Sequence, residues 1–120
     1  MRVESLGWLG VRTNRFTETV SFYRDLLGLD AVGVDETSVR FQLGDGTELH
    51  VYGPADADHE FFGAAPVVGL LVDDVPAVRG RMKAAGIEFL TSVEHAGASA
   101  WCHFRGPDGN VYEIISRDHG

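Results

Sequence analysis

One turn is written twice in this chain. Phe41-Gln42-Leu43-Gly44-Asp45-Gly46 and Phe104-Arg105-Gly106-Pro107-Asp108-Gly109 share the pattern F-x-x-x-D-G, 63 positions apart. Each stands between two short strand-like runs, which is the setting of a hairpin turn. Four residues past the last glycine, Gly46 leads to His50 and Gly109 leads to Glu113, at the same place in the outgoing strand. A repeated unit that sets two metal-capable side chains at equivalent places points to a duplicated fold with a symmetric site.

The flanking sequence extends the repeat. Residues 4–12 read as a strand. From Arg15 to Leu27 the spacing turns helical, with Phe16, Val20, Tyr23 and Leu27 on one stripe. Asn14 or Thr17 is the expected cap, and Gly28 the expected left-handed residue past the end. Strands follow near 30–34, 37–43 and 47–53. A Pro-, Asp-, Ala- and Gly-rich linker comes next, and the pattern restarts with an apolar strand at 67–72. Asp73-Asp74 supplies a cap, Pro76 suits the first helical turn, and Val75, Val78, Met82 and Ala85 give the stripe that Gly86 ends. Strands near 87–93, 99–105 and 110–117 complete the copy. The reading is one α+β domain over 1–120, with a first βαβββ unit at 1–54, a linker at 55–65 and a second βαβββ unit at 66–120.

Composition closes off several function classes. The net charge of −8 lacks the basic footprint that nucleic acid or an anionic membrane requires. A single cysteine, Cys102, excludes an internal disulfide and a Cys-based zinc site. No stretch approaches the roughly 20 apolar residues of a membrane span, and Met1-Arg2-Val3-Glu4 is not followed by a signal-type apolar run. The expected location is cytoplasmic. There is no G-x-S-x-G elbow and no phosphate-cradling glycine loop before a helix, so the 15 glycines are read as turn residues.

Three segments carry a resemblance: Ser21-Phe22-Tyr23-Arg24-Asp25-Leu26-Leu27-Gly28-Leu29, Val72-Asp73-Asp74-Val75, and Phe104 through Glu113. Together they are similar to the vicinal oxygen chelate superfamily, which includes glyoxalase I, extradiol dioxygenases, fosfomycin-resistance transferases and bleomycin-binding proteins. The resemblance covers nearly the whole chain and implies curved mixed sheets around a cleft, and a homodimer. It is specific for fold and weak for reaction, because one fold hosts many chemistries. In metal-dependent members each unit gives one ligand from its first strand and one from its last. The last-strand places fall here on His50 and Glu113, and the first-strand places on Trp8 and Val67, neither of which has a lone pair to donate. The implied metal set is therefore incomplete. No cofactor is expected, with a divalent metal held by His50 and Glu113 as the alternative. His103, His95, His59 and His119 are the further donors available.

Strand alternation adds detail to the site. Glu48, His50 and Tyr52 share one face, with Leu49 and Val51 on the other. Glu113 shares its face with Val111 and Ile115, so its carboxyl is expected to find a partner or a raised pKa. Trp8, Gly10 and Arg12 line one face of the first strand, and Trp101 and His103 line another, with Cys102 turned away. The ligand-binding candidates are Trp8, Arg12, His50, Tyr52, Trp101, His103 and Glu113. The catalytic candidates are His50 and Glu113. Arg12, Arg40 and Arg105 are each either an anion clamp or a solvated charge, and Phe22 and Tyr23 are expected in the core. Three functions remain open. One is metal-free binding of a small planar, aromatic or cationic molecule, as in bleomycin resistance. A second is an enzyme of the lyase, isomerase or dioxygenase kind, with Glu113 or His50 as general base if no metal takes part. A third is a sensory or accessory module.

Overall fold

A computed structural model describes residues 2–117. Strand β1 (Ser5–Arg12) leads to helix α1 (Phe16–Ser21), followed by β2 (Asp30–Val34), β3 (Ser38–Gln42) and β4 (Glu48–Tyr52). A 3-10 turn, Glu60–Phe62, lies in the linker. The second copy contains β5 (Val67–Leu71), α2 (Val75–Ala84), β6 (Glu88–Phe89), β7 (Glu94–Ala96), β8 (Ser99–Arg105) and β9 (Val111–Ser116). Of the strand expected at 87–93 only β6 forms, at Glu88–Phe89; β7 lies beyond it, and both pair antiparallel with β8. His119 lies outside the described residues.

The repeated turn forms the same way twice. Gly46 and Gly109 have φ of 88° and 84°, a left-handed conformation that costs glycine nothing. Gly46 N–H donates to the Leu43 carbonyl at 3.0 Å, and Gly109 N–H to the Gly106 carbonyl at 2.9 Å. The aspartate before each glycine accepts a backbone N–H two residues on, Asp45 from Thr47 at 2.9 Å and Asp108 from Asn110 at 3.0 Å.

The helices differ at both ends. Asp74 caps α2, its side chain accepting from Ala77 N–H at 3.0 Å, with Pro76 in the first turn. The cap position of α1 is Arg15, which makes no side-chain cap bond, so neither Asn14 nor Thr17 caps it. Beyond Ser21 the coil widens into a π-helical stretch, Phe22–Leu26, with Leu27 N–H reaching the Phe22 carbonyl at 3.1 Å. That wider turn offsets the 3.6-residue stripe. Val20 stays in the core, while Phe22, expected inside, is 46% exposed and Leu27 also faces out.

By contacts the chain divides into two units. One comprises Leu9–Val67; the other comprises the N-terminal segment through Trp8 together with the chain from Val68 onward. In the Leu9–Val67 unit, β2, β3 and β4 form an antiparallel ladder. Its core gathers Val20, Val39, Phe41, Leu49 and Val51, with Phe16 and Tyr23 against them. In the other unit, β5 pairs in parallel with β9, and β9 pairs antiparallel with β8. Its core sets Val75 and Val78 of α2 against Ala100, Cys102, Phe104 and Ile114. Alternation then sends Trp101 and His103 of β8, and Val111, Glu113 and Ile115 of β9, to the face away from α2.

Candidate functional site

Cross-strand register places His103 directly opposite Glu113. His103 Nε2 approaches Glu113 Oε1 at 3.1 Å, and both residues are only 3% exposed. The other carboxyl oxygen, Oε2, is buried and has no hydrogen-bond partner among the described residues. Burial raises the Glu113 pKa above its ordinary value, and the neighbouring His103 and Arg117 only partly offset that rise. The carboxyl is therefore a better proton carrier than a surface glutamate, and it holds one acceptor in reserve.

Trp8 closes over this pair. It is buried, and its ring meets His103 edge-on at 6.4 Å between centroids. Room for the indole comes from Gly69, which lies in register with Glu113 on β5. A Cβ on Gly69 would fall 2.7 Å from Trp8 Cβ and 2.9 Å from Glu113 Oε2. Close approach, not chain flexibility, is why glycine stands there. Trp101 is half-buried and turns its indole N–H to Glu94 Oε2 at 2.7 Å. The His103 main chain is pinned by Thr91, whose hydroxyl accepts its N–H at 2.9 Å. Cys102 faces the helix side, and burial pushes its thiol up to about 11, so it is no nucleophile.

In the Leu9–Val67 unit, His50 is held at both ring nitrogens. Nε2 lies 2.8 Å from Glu48 Oε1, and Nδ1 lies 3.1 Å from the Tyr52 hydroxyl. Burial lowers its pKa, with Glu48 opposing and the positive charges of Arg40 and His59 adding to the fall. The linker folds back onto this face. His59 stacks on Tyr52 at 3.8 Å and 18°, and its Nδ1 sits 2.6 Å from Asp56 Oδ2. Arg12 donates from Nη2 to the Pro54 and Asp56 carbonyls at 3.3 and 3.1 Å.

Of the residues singled out in the sequence, Trp8, His103 and Glu113 come together in one unit, with Trp101 on the same face of β8 as His103. His50 and Tyr52 come together in the other, and Arg12 joins the linker there. Arg105 instead turns back to the Gly109 carbonyl at 2.7 Å, and His95 is exposed on β7. The sequence reading overlooked Asp56. A lone buried aspartate in a linker leaves no periodic trace, although an Asp-x-x-His spacing was there to be read.

A sequence profile of the Glyoxalase/Bleomycin resistance protein/Dioxygenase superfamily matches residues 5–114. The chain belongs to that superfamily. No curated protein sequence matches it. Among solved structures it is similar to the Mn(II)-bound glyoxalase from Novosphingobium aromaticivorans, with TM-score 0.76 and 24% identity over 96% of this chain and 39% of that one. It spans well under half of that enzyme's length. A hypothetical protein from Bacillus halodurans C-125 gives 0.75 at 13% identity, covering 97% and 96% of the two chains. Methylmalonyl-CoA epimerase from Mycobacterium tuberculosis gives 0.71 at 18% identity, covering 97% and 89%. At these identities the likeness is one of fold, the glyoxalase-type α+β fold of two tandem βαβββ repeats.

The manganese in one relative raises the question of donors here. The Trp8 unit offers His103 and Glu113, which already meet each other, while the Trp8 indole has no lone pair for a metal. The other unit offers His50 and Glu48, likewise joined. Among the described residues no group of three or more His, Cys, Asp or Glu is arranged to hold an ion. Within either unit these two protein donors fall short of the three or more that hold a catalytic first-row metal. No helix among the described residues is long and apolar enough to cross a membrane.

Proposed function

We propose that this superfamily member binds a small planar or cationic molecule at the Glu113 carboxyl, without a resident metal. The observation that carries this reading is Glu113 Oε2, an acceptor buried beside an indole with no partner among the described residues. Leaving such an atom unmatched costs about 1–3 kcal/mol, which a ligand donor recovers. Trp8 and Trp101 supply the aromatic surface, and His103 steadies the carboxyl. Because Glu113 is enclosed, a ligand reaches it only when Trp8 turns aside, so binding alters Trp8 emission.

The test is a fluorescence titration of chelator-treated protein with a planar cation, proflavine. The expected result is saturable quenching, unchanged by added manganese or zinc and weakened about tenfold in Glu113→Gln. Quenching that requires metal, or that Glu113→Gln leaves intact, overturns the reading. Retention of close to one metal ion per chain by mass spectrometry, lost in His50→Ala and Glu113→Ala, would establish the metal-dependent alternative instead.

One observation favours a second reading. The raised Glu113 pKa, set beside an imidazole, suits proton abstraction next to a carbonyl. Exchange of an α-proton for deuterium in a small carbonyl compound, abolished in Glu113→Gln, is the result that would move the chain to the enzymes. A homodimer belongs to both readings. Exposed Leu26, Leu27, Val32 and Val34 support it, and sedimentation equilibrium checks it.

A further inference from the structure

Asp56 ties together two donors that the Glu113 reading leaves unused. It is 7% exposed, deep for an acid in a linker. Its Oδ1 accepts Asp58 N–H at 3.1 Å and its Oδ2 meets His59 Nδ1 at 2.6 Å, so both oxygens are engaged. Its carbonyl accepts from Arg12 Nη2 at 3.1 Å. One residue thus fixes an imidazole through its side chain and a guanidinium through its main chain.

Each of those groups keeps an unspent edge. Arg12 Nε is buried and has no hydrogen-bond partner among the described residues, although Nη2 is satisfied twice. A guanidinium N–H is never anything but a donor, so what it lacks is an acceptor. His59 gives Nδ1 to Asp56, which leaves Nε2 as the open nitrogen of a ring about one-quarter exposed. The ring cannot swing away, since Tyr52 stacks on it and Phe62 meets it edge-on at 5.1 Å. In the imidazolium form of the ring Nε2 also donates. The surroundings are aromatic, and the carboxylate nearest the imidazole is that of Asp56, which Nδ1 already meets.

We propose that the Arg12–Asp56–His59 cluster binds the oxyanion of a small aromatic acid, an aryl carboxylate or a phenolate. Arg12 Nε–H and His59 Nε2–H donate to it, the Tyr52 and Phe62 rings favour its aryl group, and Asp56 holds both donors in place. The proposal stands independently of the Glu113 reading, because all of these residues lie in the Leu9–Val67 unit and both tryptophans lie in the other.

The test follows proton–nitrogen resonances of the full chain. The Arg12 Nε–H signal is assigned by its disappearance in Arg12→Lys, and benzoate, p-nitrophenolate and benzamide are titrated in turn. The expected result is a saturable displacement of the Arg12 Nε–H signal by benzoate, by p-nitrophenolate, or by both. That pattern separates the two oxyanion sources, while neutral benzamide leaves the signal in place and the indole N–H signals stay still. His59→Gln, which retains a side-chain N–H donor but no charge, weakens the binding about tenfold. An undisturbed Arg12 signal, equal response to benzamide, displacement confined to the indoles, or full affinity in His59→Gln would each overturn the proposal.

Discussion

In the Leu9–Val67 unit the ionisable groups are shared out: His50 divides its two nitrogens between Glu48 and Tyr52, and Asp56 serves both His59 and the backbone. In the other unit Glu113 and His103 meet under Trp8 with one carboxyl oxygen unmatched. His50 and Glu113 stand at the same position after the same turn. What separates them is enclosure. A half-buried imidazole with polar neighbours settles into a hydrogen-bonded chain, whereas a sealed carboxyl keeps an unmet valence and a raised pKa. A duplicated strand therefore does not imply a duplicated chemistry.

The cores offer the strongest way to break the comparison, because there the units should behave alike. Phe41→Ala in one and Ile114→Ala in the other are each expected to cost several kcal/mol, about 3–5 and 2–5 respectively, since both side chains are fully enclosed. Urea unfolding followed by circular dichroism measures both, and a loss below 1 kcal/mol in either would deny that unit a core of its own. Next in size is Asp56→Ala, which strands His59 and the Asp58 N–H and is expected to cost about 1–3 kcal/mol. Thermal melting gives the value. Asp74→Ala follows, at about 1 kcal/mol for the lost cap of α2, while Arg15→Asp in uncapped α1 is expected to gain a fraction of that.

The smallest effect sharpens the comparison most. Glu113 has a folded pKa above its unfolded value near 4.5, so its contribution to stability is complete below that pH and is lost as pH rises through the folded value. His50 has a folded pKa below its unfolded value near 6.5, so its contribution is complete above that pH and is lost as pH falls towards the folded value. The two slopes oppose each other in mildly acidic solution. Relative to the wild type, melting curves across that range should show the slope of stability with pH become more positive in Glu113→Gln and more negative in His50→Gln. Variants that both track the wild type would mean that neither group is perturbed.

The features legible in the sequence were those that local chemistry decides. Asp45-Gly46 and Asp108-Gly109 contain their own hydrogen bonds and left-handed glycines, so the hairpins could be placed before any tertiary contact was known. Alternation correctly set Cys102 against Trp101 and His103, and foresaw an enclosed Glu113. Other features depend on partners distant in the chain. The shortening of the 87–93 strand to β6, with β7 beyond it, depends on pairing with the distant β8, and the outward Phe22 follows from a single wide turn that hydropathy does not register. The linker read as a spacer because Pro, Gly and Asp signal loops. Its docking through Asp56, His59 and Arg12 is a matter of three side chains meeting, with no period to betray them.

Gly69 has a mechanical consequence. With Trp8 Cβ and Glu113 Oε2 both crowding the space where its side chain would begin, the position acts as a keyway into which the two neighbours are fitted. A single methyl at position 69 would press on both neighbours from beneath. Gly69→Ala thus shifts the acid and the residue packed beside it together, without removing any group that carries charge.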